Sequence, residues 1–447
     1  MKNYINNFFK IEENNSSIKK EILGGVVTFF AMSYIMFLNP NILASTGLSK
    51  EACFTATTLI AAVGSIIMGF VGNKPLGIAP GMGLNSLIAV TICGLYGFSF
   101  AESMSITFIA AIIYIIITIL GIRNKIMASI PPFLKKAIAC GMGLFIAVVG
   151  LVGSGIITSS ESTVITLGNL ADPKILITLF GLLLIIVLTV FKVKASIIIT
   201  LISTLLFAII LTVCNLDTGI TFNGAISIPS APYITAFIDG FKTFTSNQTL
   251  KIIVSIFTVL FLAIFNVAGT VSACEETLYL NDKAAKKVYI ADSISVLGSS
   301  ILGTSPSTTF AETMTGIEAG ARTGLANIVT GLLFLASLFF SPLLSIITEQ
   351  VTAPLLIMIG VAMIGETASI DFKKPAIAIP AFFTIFMMPL TYSVTDGIGF
   401  GIILYVLIQL ITYRKNSEIK FKDHLNYVMI LLALVFILYF VINLLKI

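Results

Sequence analysis

Of the 447 residues, 57% are hydrophobic and only 11% are charged, with a mean hydropathy of +1.06; this balance excludes an ordinary soluble enzyme and calls for a lipid bilayer. The net charge of +5 does not argue for nucleic acid, because the basic residues are spread over short connections where membrane orientation accounts for them. Five cysteines stand singly in apolar contexts without a C-x-x-C pair and read as packing residues, so no metal site is predicted.

Residues 1–20 read as a polar, lysine-containing cytoplasmic tail, and the first apolar run is too long for the core of a cleaved signal peptide. That run, 21–43, is closed by Asn39-Pro40-Asn41, and a second covers 52–72. Each reaches the roughly 20 residues that cross a bilayer. Asn73-Lys74-Pro75 follows, and a third apolar stretch then runs from residue 76 to 94, interrupted by Gly77, Pro80, Gly81 and Gly83. Further runs occupy 101–121, 132–153, 173–191 and 195–214, and 215–250 is the longest connection. The second half holds runs at 251–273 and 288–302, a polar stretch at 303–325, then runs at 325–344, 351–365, 375–390 and 396–412. A last apolar segment covers 425–445, and the sequence leaves open whether it crosses.

Basic residues follow every second run: Arg123, Lys125, Lys135 and Lys136; Lys192 and Lys194; Lys283, Lys286 and Lys287; Arg322; Lys373 and Lys374; Arg414, Lys415, Lys420 and Lys422. With a cytoplasmic N-terminus this alternation predicts fourteen segments of a multi-pass cell-membrane protein. The two interruptions, at Pro80 and Pro306, each open the third segment of their half. Broken segments at corresponding positions point to a transporter site built from inverted repeats, and an odd seven segments per half inverts the second copy.

The second interruption, GTSPSTTFAETMTGIEAGARTGL at 303–325, lies between apolar runs yet holds Ser305, Thr308, Thr309, Glu312, Glu318 and Arg322. A charged group in lipid costs about 2.5–3.5 kcal/mol on insertion scales, so Glu312 has to face protein or a water-filled cavity. Pro306 removes a backbone donor and disfavours helix just before it. The stretch therefore predicts a short, interrupted helix whose first N–H groups and Glu312 look into a polar site. Substrate hydrogen bonding, proton coupling or both are the functional readings of Glu312; pairing with Arg322 or capping an amide is the structural one. Thr308 and Thr309, four and three residues earlier, share its helix face or cap the helix.

Asn85 follows glycines that let backbones approach closely, and either meets a polar ligand or bonds a neighbouring helix. Asn266, mid-run with Thr270 one turn on, has the same two readings. Asp292 lies within a run, where it serves a site or a facing polar partner, whereas Glu275 and Glu276 end a run and read as interfacial. Gly316, Gly320 and Gly324 suggest helix packing. His424 is the single histidine and no Walker A sequence occurs, which excludes a histidine metal cluster, argues against ATP-driven pumping and leaves no enzyme signature.

Four blocks, TFFAMSYIMFLNPNIL (28–43), GIAPGMGLNS (77–86), the 303–325 stretch and MMPLTYSVTDGIGFG (387–401), together resemble the AzgA-like purine permeases, a branch of the nucleobase–cation symporters, and the resemblance covers nearly the whole chain. It implies an all-α polytopic fold of fourteen segments in two inverted repeats, with short strands before half-helices 3 and 10; the segment count leaves 425–445 as an extra C-terminal apolar helix. It implies a core domain at 21–121 and 251–345 and a gate domain at 122–214 and 346–413, with 215–250 an extracellular connection and 414–447 a basic loop and apolar segment. The implied activity is proton symport of adenine, guanine or hypoxanthine by an elevator-like motion, often in a homodimer, with a proton gradient and no cofactor.

Carried over by motif, Glu312 matches the acid that binds the base. Asn266, in FNVAGT, stands where the family carries a carboxylate in F-D-x-x-G-T. An amide donates as well as accepts but cannot titrate, so this departure bears on substrate and coupling ion. A flat base also suits Asn85, Ser86 and Thr308 as polar contacts and Phe265 or Phe310 as stacking rings. Transport of another small polar or anionic solute on the same fold, or a passive channel, is the alternative.

Overall fold

The computed structural model describes residues 2–123, 129–160, 163–193, 196–220, 224, 226–245, 248–278, 280, 282–310, 312–415 and 426–445. The first half contains α1 (Lys2–Phe9), α2 (Ile18–Met32), α3 (Ile35–Ala44), α4 (Lys50–Ile67), β1 (Ile78–Pro80), α5 (Met82–Ser86), α6 (Phe100–Ile119), α7 (Pro132–Gly153), β2 (Ile157–Ser160), β3 (Val164–Leu167), α8 (Pro173–Val190) and α9 (Ser196–Val213). The second contains α10 (Ala236–Thr243), α11 (Thr249–Leu278), α12 (Asp282–Leu302), β4 (Ser307–Thr309), α13 (Thr313–Glu318), α14 (Gly324–Ser337), α15 (Glu349–Ile364), α16 (Pro375–Thr391), α17 (Val394–Lys415) and α18 (Tyr427–Leu445). Among the described residues, eight helical spans are long and apolar enough to cross a membrane, and five shorter apolar helices accompany them.

Helix starts follow local chemistry. Ser17, Ser49, Asp172 and Thr323 each cap a following helix through a side-chain oxygen, and Ser99 with Glu102 forms a reciprocal capping box at α6. The first membrane run departs from expectation. Its helix breaks at Ser33-Tyr34 and then continues through Pro40 to Ala44, so Asn39-Pro40-Asn41 does not close it. Asn39 is held at depth because its amide donates to Thr57 and Thr304 and accepts from Ser305.

Three further features were not foreseen. The polar tail carries α1, whose Phe9 ring lies 6.1 Å from that of Phe70 below α4. The 215–250 connection carries α10, with Phe237 stacked on Phe108 at 4.6 Å. A β2–β3 hairpin outside the apolar runs makes the fold mainly helical, not all-α. Its backbone groups pair with each other, which a short extended segment at the surface readily does.

The central feature is an antiparallel pairing of β1 with β4, Ile78 opposite Thr309 and Pro80 opposite Ser307. Every backbone group at membrane depth needs a partner inside the protein, and surrounding helices supply those that face away from the pair. Ser65 bonds both the N–H and the C=O of Ile78, Ser299 accepts from Ser307 N–H, and Thr270 donates to Thr309 C=O. Two strands distant in sequence thus lock together and send α5 and α13 away from opposite ends. Helix α5 continues as π turns to Leu95; fourteen residues at 1.5 Å rise reach about 21 Å, short of the ~30 Å hydrocarbon core.

Helices α3, α4, α11 and α12 pack against the strand pair, with α6 and α14 packed on these helices and α2 on α14, while α7, α8, α9, α15, α16 and α17 pack on one another. The sets meet where α3 and α5 face α15 and α7. Small residues allow the close crossings within them: a Cβ on Gly143 of α7 would lie 3.1 Å from the Gly360 carbonyl of α15. Gly316 approaches Gly24 and Gly324 approaches Gly69, whereas Gly320 adopts φ of +108° and turns the chain.

Glu21, fully buried in the first turn of α2, accepts from the N–H groups of Arg322 and Thr323 at 2.9 and 3.2 Å. It fastens the start of the chain to the start of α14. Glu21→Ala leaves two buried donors unmade, and the expected cost is about 1–3 kcal/mol. With no tryptophan in the chain, a thiol-reactive dye that reports exposure of buried Cys53, Cys140 and Cys274 measures the fall in melting temperature.

Candidate functional site

The break in the first membrane run has a partner at the second interruption. Tyr34, between α2 and α3, donates its hydroxyl to Glu312 Oε1 at 2.5 Å. Glu312 itself sits at the N-cap of α13 without capping it. Arg322 does not pair with it: the guanidinium is spent on the carbonyls of Ile317 and Ala321. Neither an ion pair with Arg322 nor a cap on α13 holds Glu312; the Tyr34 hydroxyl does.

Thr308 and Thr309 lie in β4, so neither shares a helix face with Glu312 and neither caps α13. The reason is the pairing with β1, which holds the chain extended up to Thr309. Their buried hydroxyls, with that of Ser307, make no hydrogen bond among the described residues. Asn85, fully buried one turn into α5, has an amide nitrogen in the same condition, while its Oδ1 is 3.4 Å from Ser86 Oγ. Successive strand residues face opposite sides, so the Thr308 hydroxyl lies on one face of the pair and those of Ser307 and Thr309 on the other.

Gly81 keeps the approach open. A Cβ there would lie 2.8 Å from Thr308 Cγ2, 3.2 Å from Leu84 Cδ1 and 3.6 Å from Asn266 Nδ2. Gly81 also has no side chain to cap α5, which leaves first-turn amides of that helix without a side-chain partner. Asn266 on α11 is therefore brought to the junction of β4 and α5. Phe265 beside it is buried, its ring tilted against that of Phe261 at 4.5 Å. Phe310, buried as well, follows β4 and donates its N–H to the Gly77 carbonyl. Ser86 and Met82 line a narrow crevice with Ile42, Ile146, Val149 and Leu356, which lies where the two helix sets meet.

Sequence reasoning missed Tyr34; an aromatic hydroxyl within an apolar run was the signal. It also set Arg123 in a basic loop. The structure buries Arg123 at 2% exposure, 3.4 Å above the ring of Tyr289, with a nitrogen donating to the Ile264 carbonyl two residues before Asn266. Asp292 belongs to this cluster: it accepts from Tyr114 at 2.9 Å, lies near the Thr309 N–H of β4 and feels the Arg123 charge. The side chains of Glu275 and Glu276, and His424, lie outside the described residues.

The profile of the Permease family, Xan_ur_permease, matches residues 19–400. A guanine/hypoxanthine permease of Bacillus subtilis, PbuG, is 39% identical over 97% of this chain and 99% of its own length. The adenine permease AdeQ of Escherichia coli is 33% identical over 92% of this chain and 91% of its own. Among solved structures, the transmembrane domain of the cyanobacterial bicarbonate transporter BicA superposes with a TM-score of 0.64 at 14% identity, covering 86% of this chain and 97% of that one; this is a likeness of fold. The chain belongs to the Permease family, and its relatives include purine permeases. It is a membrane transporter, not an enzyme.

Proposed function

We propose that this permease imports purine nucleobases such as guanine, hypoxanthine or adenine in symport with protons. The observation that carries the reading is Glu312, a membrane-depth carboxyl held by Tyr34 at the end of a strand pair whose hydroxyls, with the Asn85 amide, have no partner among the described residues. A purine presents ring N–H donors and nitrogen or carbonyl acceptors on its edge. Glu312 accepts from the N–H groups, Asn85 and Asn266 donate and accept, Thr308 and Ser86 complete the polar rim, and Phe265 or Phe310 covers a ring face. In this reading Glu312 also carries the proton, which the Asn266 amide cannot. The purine permeases among the relatives support this substrate class.

In this reading fourteen segments form two inverted seven-segment repeats, with the N-terminus in the cytoplasm. The separate packing of the two helix sets supports a core domain that slides against a gate domain in an elevator-like way, and we place the transporter in a homodimer. Substrate rides on the core set beside the strand pair, and the proton gradient supplies the energy without a cofactor.

Uptake of labelled adenine, guanine, hypoxanthine, xanthine and uracil into proteoliposomes, with and without an inward proton gradient, tests the proposal. Purine uptake that rises with the gradient is the expected result. Uptake of no base under any condition rejects the substrate class; uptake indifferent to the gradient rejects proton symport.

A further inference from the structure

The last helix, α18, carries the inference. It presents Met429, Leu432, Ala433 and Phe436 inward, all buried, and Leu431, Leu434 and Leu438 outward, so one stripe faces protein and the other is exposed. The inward stripe touches both helix sets. It packs on α17, where Gly399 makes room: a Cβ there would lie 2.9 Å from Phe436 Cδ1 and 3.0 Å from Phe440 Cε2. It also packs on α11, where the ring of Phe436 meets Phe257 at 5.7 Å and Phe261 at 6.1 Å, both edge-on. Phe261 in turn lies on Phe265 at 4.5 Å, and Phe265 adjoins Asn266.

We propose that Phe436 is a positioning residue for transport, which holds Phe265 against the ligand through Phe261. Side chains in a close-packed interior keep their rotamers because neighbours leave no other space. Phe436 is 2% exposed and closes the space behind Phe261. Removing its ring opens a void there; Phe261 relaxes toward it and Phe265 loses the surface that fixes its ring. The helix outside the repeated segments thereby sets the ring geometry at the site without touching the ligand.

The transport half of this inference rests on the purine reading; the positioning half does not. The experiment therefore reads both in the full-length protein. Phe436→Ala is expected to raise KM for the transported purine about fivefold, the scale of one lost aromatic contact, with kcat within twofold of wild type. Phe436→Leu, which refills most of the void, is expected to restore KM. In parallel, 4-fluorophenylalanine placed at position 265 is expected to give a fluorine resonance that shifts and broadens in Phe436→Ala but not in Phe436→Leu. An unchanged resonance, an unchanged KM, or a fall in kcat alone overturns the proposal. A wild type that transports no purine sinks the function assigned above, while the fluorine resonance still decides whether Phe436 positions Phe265.

Discussion

Glu312→Gln is expected to abolish the stimulation of purine uptake by an inward proton gradient while leaving the protein folded. Glutamine has the same length, and its carbonyl oxygen still accepts from Tyr34. It cannot take up or release a proton, and its NH₂ presents donors where a purine N–H needs an acceptor. Loss of a hydrogen bond to a charged group costs about 1.5–3 kcal/mol, so KM rises on the order of 10- to 100-fold. The dependence on pH separates this from plain weakening. Wild-type uptake increases as the outer pH falls, whereas residual uptake by Glu312→Gln is flat with pH. Tyr34→Phe keeps the titrating group and removes only its donor, so it lowers affinity but retains the gradient effect. A Glu312→Gln variant that concentrates purine as strongly as wild type under a gradient rules out Glu312 as the proton carrier.

What the sequence revealed was periodicity and interruption. Long apolar runs matched the helices within a few residues, because burial in lipid imposes both length and composition. The breaks at Pro80 and Pro306 were legible since proline and glycine act on their own neighbourhood. Their pairing with each other was not, because β1 and β4 are joined only by contacts between residues more than two hundred positions apart. The same limit explains Thr308 and Thr309: helical spacing to Glu312 is a local argument, and the distant strand overrides it. Asn39 shows the converse error. An Asn-Pro-Asn sequence looks like a turn until Thr57, Thr304 and Ser305 are seen to satisfy its amide. Glu312, Asn85 and Asn266 stood out as polar groups with no local reason to be at depth, but Tyr34 is half apolar and drew no attention.

Arg123 was hidden for a different reason. A basic residue just beyond an apolar run satisfies the rule for cytoplasmic loops whether or not its side chain turns back into the protein. Here Gly121 at φ of +71° turns the chain, and the guanidinium lies over Tyr289 with Asp292 within electrostatic reach. Arg123→Met is expected to destabilise the protein by about 1–3 kcal/mol, because it removes a buried hydrogen-bond donor and the favourable charge near Asp292. The Ile264 carbonyl loses a donor in the same step. Removing the opposite charge as well settles which loss dominates. If the stranded carboxylate is the main cost, Arg123→Met/Asp292→Asn melts higher than Arg123→Met alone in the thiol-dye assay. If the carbonyl donor and the packing on Tyr289 dominate, the double variant melts no higher than the single one, and the electrostatic account of this cluster is wrong. Because Ile264 precedes Asn266 by two residues on α11, uptake by the folded double variant then shows whether this anchorage also sets the geometry of the site.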